Sequence, residues 1–499
     1  MSGASTTPPR VVTDRHVGAV LAAAAGDALG AGYEFGPPLP DDEPVYPKGG
    51  GGFGWAPGEW TDDTQMAACV LAVLADGSAD VERIGASFRE WFGNGPADVG
   101  VQTSAVLSTA GDLMAVSQAF ADAHPDGAAG NGSLMRTSPV ALAAPGDPEL
   151  IAELAAGISA LTHADPDCQD ACVLWSVAID HQVHHAPGSD LPWSFADAVR
   201  VGLDQLPVGR RDRWAALIDE AATSSPREFR RNGWVVHAFQ AALAAACDTP
   251  VPAGPDPAAH LQLALEAAVR CGGDTDTVAA IAGALLGSRW GATAVPSSWR
   301  RILHGHAAAP TPRLNAGDLD AQARLAAAAG RPDPHGWPGR ASMIDHYLAL
   351  PVPPPGRHAE LHGVRFGDVV TLGPALQDGI DSVVSLCRMG TDDVPPHVDH
   401  LVVGLHDTEL EDNPNLVLLL EDVADHIQSQ HSSGRRVFVH CVAAENRTPT
   451  VAAAWLTRHH GHHPDEALHI AGERLNPPRM FLADGVRAVR PGASEPAPD

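Results

Sequence analysis

Between Arg331 and Arg357 the chain carries Pro332, Pro334, Pro338 and Pro351, then the run Pro353-Pro354-Pro355, and its texture differs on the two sides of that stretch. Proline fixes φ and has no N–H, so neither a helix nor an inner strand runs through such a segment. A chain interrupted in this way is expected to fold as two units joined by a linker whose last part is extended. Before the prolines, residues 65–75, 149–161, 171–181 and 261–269 are Ala-rich and amphipathic at helical spacing, and runs of β-branched residues are scarce. An all-α bundle is expected over residues 14–335, with the linker at 336–357. After the prolines, Val369-Val370 and residues 383–386, 401–403 and 437–439 are short apolar runs of β type, separated by helical patterns at 416–428 and 450–459. This alternation predicts a smaller α/β domain over 358–487 with a mostly parallel sheet, followed by a polar, disordered tail from Pro491 to Asp499.

Charge and cysteine usage narrow the function classes. The chain of 499 residues has 61 acidic and 32 basic side chains, a formal net charge of −29, with Lys48 the only lysine. Such a field repels polyanions, so nucleic acid and anionic membrane are not expected partners. Seven scattered cysteines are an odd number and form no disulfide framework, which fits a reducing cytoplasm. Residues 1–10 lack the pattern of a signal peptide, and no apolar stretch reaches membrane-spanning length. The expectation is a soluble cytoplasmic protein.

The sharpest local motif runs from His440 and Cys441 to Arg447 and Thr448, after one β-type run and before a helical one. Five residues between cysteine and arginine let a strand–loop–helix turn wrap backbone N–H groups around one phosphate. Arg447 would close that cradle with a bidentate contact, and the same N–H groups favour a Cys441 thiolate nucleophile. These residues resemble the dual-specificity and tyrosine phosphatases over roughly residues 363–487. The resemblance implies a phosphorylated protein or small phosphate ester as substrate. It also implies a general acid on a separate loop, matched by Asp407 in Leu405-His406-Asp407-Thr408, with Glu409, Glu411 and Asp412 as rivals. Thr448 stands where that family assists departure of the thiolate, and His440 flanks the nucleophile. Ala444 replaces a usual glycine and Glu445 sets a carboxylate inside the loop. The rival reading is therefore a module that binds phosphate with little turnover.

Three motifs mark the first half: residues 26–35 with Asp27 and Glu34, residues 60–66 with Thr61, Asp62 and Asp63, and residues 272–277 with Asp274, Asp276 and Thr277. Singly, the second and third read as helix caps with an acidic first turn. Together they offer carboxylates and hydroxyls with no cysteine or histidine nearby, a set suited to hard cations. In this order the motifs resemble the ADP-ribosylglycohydrolase family, over roughly residues 15–330. The resemblance implies an all-α fold and two Mg²⁺ or Mn²⁺ ions held by Glu34, Thr61, Asp62, Asp63, Asp274, Asp276 and Thr277. It also implies Asp98 near the reaction centre, a diphosphate- and ribose-holding loop with Asn131, Gly132, Ser133 and Met135, and His163 beside the ligand. The expected substrate is an ADP-ribosylated protein or a small ADP-ribosyl compound, and either Asp98 or a metal-site carboxylate would serve as base. The whole chain then reads as a bifunctional hydrolase.

Overall fold

The computed structural model describes residues 9–185, 194–307 and 313–492; residues 493–499 of the tail expected to be disordered lie outside that set. The first half is built around two helices buried on all sides, α1 (Arg10–Gly30) and the helix Thr275–Trp290. A helix with no polar face belongs at the centre of a domain. They touch backbone to backbone: a Cβ at Gly26 would lie 2.2 Å from the Ala279 carbonyl oxygen, and one at Gly283 would lie 2.1 Å from that of Ala22. Helix α2 (Asp62–Ala75) and the helices Pro166–His184 and Val235–Asp248 pack around this pair in one core that runs from Val17 to Ala326. Among the described residues of this half, the helices and loops are joined by one short antiparallel strand pair, β1 (His304–Gly305) with β2 (Leu314–Asn315), and isolated bridges such as Gly50 with Trp55.

The second half holds a five-stranded mixed sheet: β3 (His358–Leu361), β4 (Val364–Asp368), β5 (Ser382–Ser385), β6 (Asp399–Val402) and β7 (Val437–Cys441), in the order β3-β4-β7-β5-β6. The pairings β4–β7, β7–β5 and β5–β6 are parallel, and β3–β4 is antiparallel. Side chains alternate across the sheet. Val384 and Val439 join the core containing Val451 and Trp455, while Val383 and Phe438 join the one containing Leu372.

Two expectations are corrected. Val369-Val370 does not form a strand; it opens the helix Val369–Gln377. Asp368 accepts hydrogen bonds from the Val370 and Thr371 N–H groups at 3.1 and 3.3 Å, and this cap outweighs the β preference of two valines. The proline-rich stretch is also more than a spacer. It contains the helix Met343–Leu348, whose Met343 and Tyr347 are buried against the second half, and the Trp337 ring lies 4.8 Å from the guanidinium carbons of both Arg324 and Arg388.

The halves share a polar seam. Asp422 accepts from the Ser297 N–H at 3.0 Å and its hydroxyl at 2.9 Å, capping the helix Ser297–Ile302. Asn415 donates to the Trp290 carbonyl at 2.6 Å, and Arg301 meets Asp399 at 3.0 Å. Among the described residues no helix is long and apolar enough to cross a membrane.

Candidate metal centre and cysteine loop

The last turn of α1 delivers Asp27 and the loop beyond it delivers Glu34; α2 opens on Asp62 and Asp63; the helix Thr275–Trp290 opens on Asp274 and Asp276. Glycine at position 30 makes the convergence possible, since a Cβ there would lie 2.4 Å from the Asp276 Cα. Asp27, Asp63 and Asp276 each offer a carboxylate oxygen within 4.8 Å of the others, and Glu34, Asp274 and Asp276 form a second such trio. Asp276 belongs to both. Asp27 also braces the start of α2, accepting from the Thr61 and Thr64 N–H groups at 3.0 Å each and from the Thr64 hydroxyl at 2.6 Å. Thr277 donates to Asp63 at 3.1 Å.

So many buried acids cannot all ionise without compensation. Burial first, and neighbouring carboxylates next, push Asp62, Asp63 and Asp276 well above the usual carboxylate range and Glu34 up to about 8. Burial raises Asp27 to about 6 and raises Asp274 and Asp98 as well. The Thr61 hydroxyl is buried with no hydrogen-bond partner. An all-oxygen set with an orphan hydroxyl and crowded negative charge fits a hard divalent cation.

Around this centre, Asn131 donates to Asp274 at 2.7 Å and to the Asn232 carbonyl at 2.9 Å, tying its loop to the third motif. Asp98 is half-buried, and its charge bears on both Glu34 and Asp62. His163 is buried and held neutral, its ring meeting the Thr162 hydroxyl at 2.8 Å. A Cβ on Gly132 would come within 3.0 Å of that imidazole, so glycine makes room there for a side chain of the protein itself. The structure places Ser133 and Met135 in the core rather than on an open face: Ser133 is fully buried and accepts from the Ser159 hydroxyl at 2.9 Å.

In the second half, β7 ends on Cys441 and the helix Arg447–His459 begins six residues later, with the intervening loop wrapped between them. Arg447 is partly buried and donates to the Leu386 carbonyl at 2.5 Å, while its Nε lies 3.4 Å from Asp407. Thr448 donates to the Gly367 carbonyl at 3.2 Å. His440 meets the Ser385 hydroxyl at 2.7 Å, and burial pushes it down to about 3, so it is neutral. Ala444 has φ +51°, a left-handed conformation that glycine adopts without penalty. Glu445 points outward, half-exposed, 3.5 Å from Arg357, so its carboxylate is matched by a cation beside the loop.

A model of the ADP-ribosylglycohydrolase family matches residues 8–334. The chain belongs to the ADP-ribosylglycohydrolase family. Relatives include the ADP-ribosylarginine hydrolase Tri1 of Pseudomonas putida, 30% identical over 60% of this chain and 76% of that one. The ADP-ribosyl-[dinitrogen reductase] glycohydrolase of Rhodospirillum rubrum is 30% identical over 58% of this chain and 90% of its own length. For the second half, the crystal structure of human DUSP28 matches at 21% identity and TM-score 0.24, covering 28% of this chain and 95% of that chain. Such a score fixes no fold, and the loop geometry of that half stands by itself.

In the glycohydrolase half, the structure brings Glu34, Asp63, Asp274 and Asp276 into the two trios, with Thr61, Asp62 and Thr277 at the same helix starts. Asp27, one of the motif carboxylates but not one of the expected ligands, joins them. Asn232, which donates to the Gly272 carbonyl at 2.8 Å and accepts from the Asp274 N–H at 3.2 Å, lies in a segment with no distinguishing pattern.

Proposed function

We propose that the first half cleaves ADP-ribosyl bonds with the help of two Mg²⁺ or Mn²⁺ ions, and that the second half hydrolyses phosphate monoesters through Cys441. The first reading is carried by the sharing of Asp276 between two carboxylate trios. Glu34, Thr61, Asp62, Asp63, Asp274, Asp276 and Thr277 would hold the ions, with Asp27 bracing the start of α2. Bound there, divalent cations supply charge stabilisation on oxygen and an acidified water. Asn131 would fix Asp274, and Asp98, whose charge bears on Glu34 and Asp62, would hold or move a proton. The names of the two relatives favour an ADP-ribosylated protein, with ADP-ribosyl-arginine the first substrate to try. Asp274→Asn is expected to lower ADP-ribose release at least about 100-fold, the scale of a lost catalytic electrostatic contact. Retention of full activity would refute the assignment.

The second reading is carried by Arg447, partly buried with its charge bearing on Cys441 and its Nε 3.4 Å from Asp407. The Cys441 thiolate attacks phosphorus, the ester P–O bond breaks, and Asp407 gives its proton to the leaving oxygen. Water then attacks the phosphocysteine, Asp407 takes up a proton, and the S–P bond breaks to return the thiolate. Arg447 binds the phosphoryl oxygens throughout. Hydrolysis of p-nitrophenyl phosphate by the intact chain but not by Cys441→Ser tests this reading. Equal rates in the two would sink it.

A further inference from the structure

The loop that carries Asp407 does not rest on its own half alone. Within the second half Asn413 staples it, accepting from the His406 N–H at 2.8 Å and donating to the carbonyls of His406 and Glu409 at 3.1 Å each. Arg479 donates to the Thr408 carbonyl at 3.2 Å, and the Thr408 hydroxyl bonds to Asp412. Arg447 Nε lies 3.4 Å from Asp407 itself, and a further hold comes from the first half. Arg10, the first residue of α1, places Nη1 2.5 Å from Nδ1 of His406 and Nε 3.7 Å from the Asp412 carboxylate. His406 immediately precedes Asp407. Burial first, and the Arg10 charge next, push the His406 imidazole down to about 4, so the ring is neutral and its Nδ1 can accept from the guanidinium.

We infer that Arg10 is a positioning residue of the second site, holding the Asp407 loop over Cys441 from a helix that belongs to the first half. This inference rests on the phosphoester reading above. The geometry favours it because α1 is a rigid anchor. The helix has 21 residues and is buried from Arg15 to Gly30, so its first turn cannot drift independently of the glycohydrolase core. From Arg10, at the Asp407 loop, to Asp27, at the carboxylate cluster, it rises about 26 Å at 1.5 Å per residue. The second site is thus completed by the first half, and the two catalytic centres sit at opposite ends of one helix.

A residue that acts by placing a general acid matters most when the leaving group is a poor one. In the intact chain, Arg10→Ala is expected to lower kcat/KM, which reports only the step that forms the phosphocysteine, about tenfold on phenyl phosphate and much less on p-nitrophenyl phosphate, whose leaving group needs little protonation. Arg10→Lys should recover part of the loss, and ADP-ribose release should be unaffected. Equal losses on both esters, or no loss, overturn the inference. Amide hydrogen exchange across residues 405–412 gives a readout independent of turnover, and it should quicken in Arg10→Ala. Unchanged exchange also overturns the inference. If wild type and Cys441→Ser hydrolyse both esters at the same rate, the phosphoester reading fails, and the exchange measurement alone then decides whether Arg10 holds the loop.

Discussion

At Asp276 the two carboxylate trios overlap, and burial leaves the cluster holding protons that a cation would displace. Glu34 is raised to about 8 and Asp27 to about 6, both above the roughly 4 of an unfolded carboxylate. Between about pH 4 and pH 8 the folded cation-free chain therefore binds more protons than the unfolded one. Its stability from these groups is full at the acid end and is lost as pH rises. A divalent cation competes with those protons, so the rise in melting temperature on adding Mg²⁺ should be larger near pH 8 than near pH 5.5. A rise that is equal or smaller near pH 8 would contradict this. Ala444 supplies a second prediction at this scale. Its left-handed φ costs about 1–2 kcal/mol, and its buried methyl contributes about 0.8 kcal/mol. Ala444→Gly should thus change stability by less than about 1 kcal/mol, whereas Ala444→Val should cost about 2–3 kcal/mol through strain and overpacking. Urea midpoints check both. The sequence motif marked this position as unusual; the sign of φ needed the structure.

The crossing of α1 with the helix Thr275–Trp290 is the element on which the metal centre depends. Gly30→Ala would set a Cβ against the Asp276 backbone, which cannot swing aside as a flexible side chain can. A loss of about 1–3 kcal/mol is expected, with ADP-ribose release reduced more than global stability, as calorimetry and activity on one sample would show. Intact activity with lowered stability would mean that the crossing does not set the site. The amphipathic helices were legible from their spacing, because burial on one face writes a period of about 3.6 into the sequence. The pairing of α1 with a helix some 250 residues later was not, since a helix apolar all round has no face to point at its neighbour. Strand β3 was missed because His358, Ala359 and Glu360 leave an edge strand with little apolar pattern. Asn232 was invisible because its role is to join two loops that only the fold brings together.

Across the whole molecule, the seam between halves is polar and specific. Asp422 is partly buried and answers both the N–H and the hydroxyl of Ser297, so Asp422→Ala should cost about 1–2 kcal/mol, the scale of a lost helix cap. Thermal unfolding would register this, and an unchanged transition would show that the seam contributes little. The prolines and the change of texture led to an expectation of two units, but they held no sign that Arg10 before the prolines reaches the loop of Asp407 after them. The central claim is that Asp276 joins two cation positions into one ADP-ribosyl-cleaving centre. Counting Mn²⁺ bound per chain at equilibrium, with ADP-ribose release measured on the same samples, tests it most directly. The account predicts two ions in the wild-type chain and loss of both the ions and the activity in Asp276→Asn. A wild-type chain that binds none, or a variant that keeps two ions and full activity, would contradict it.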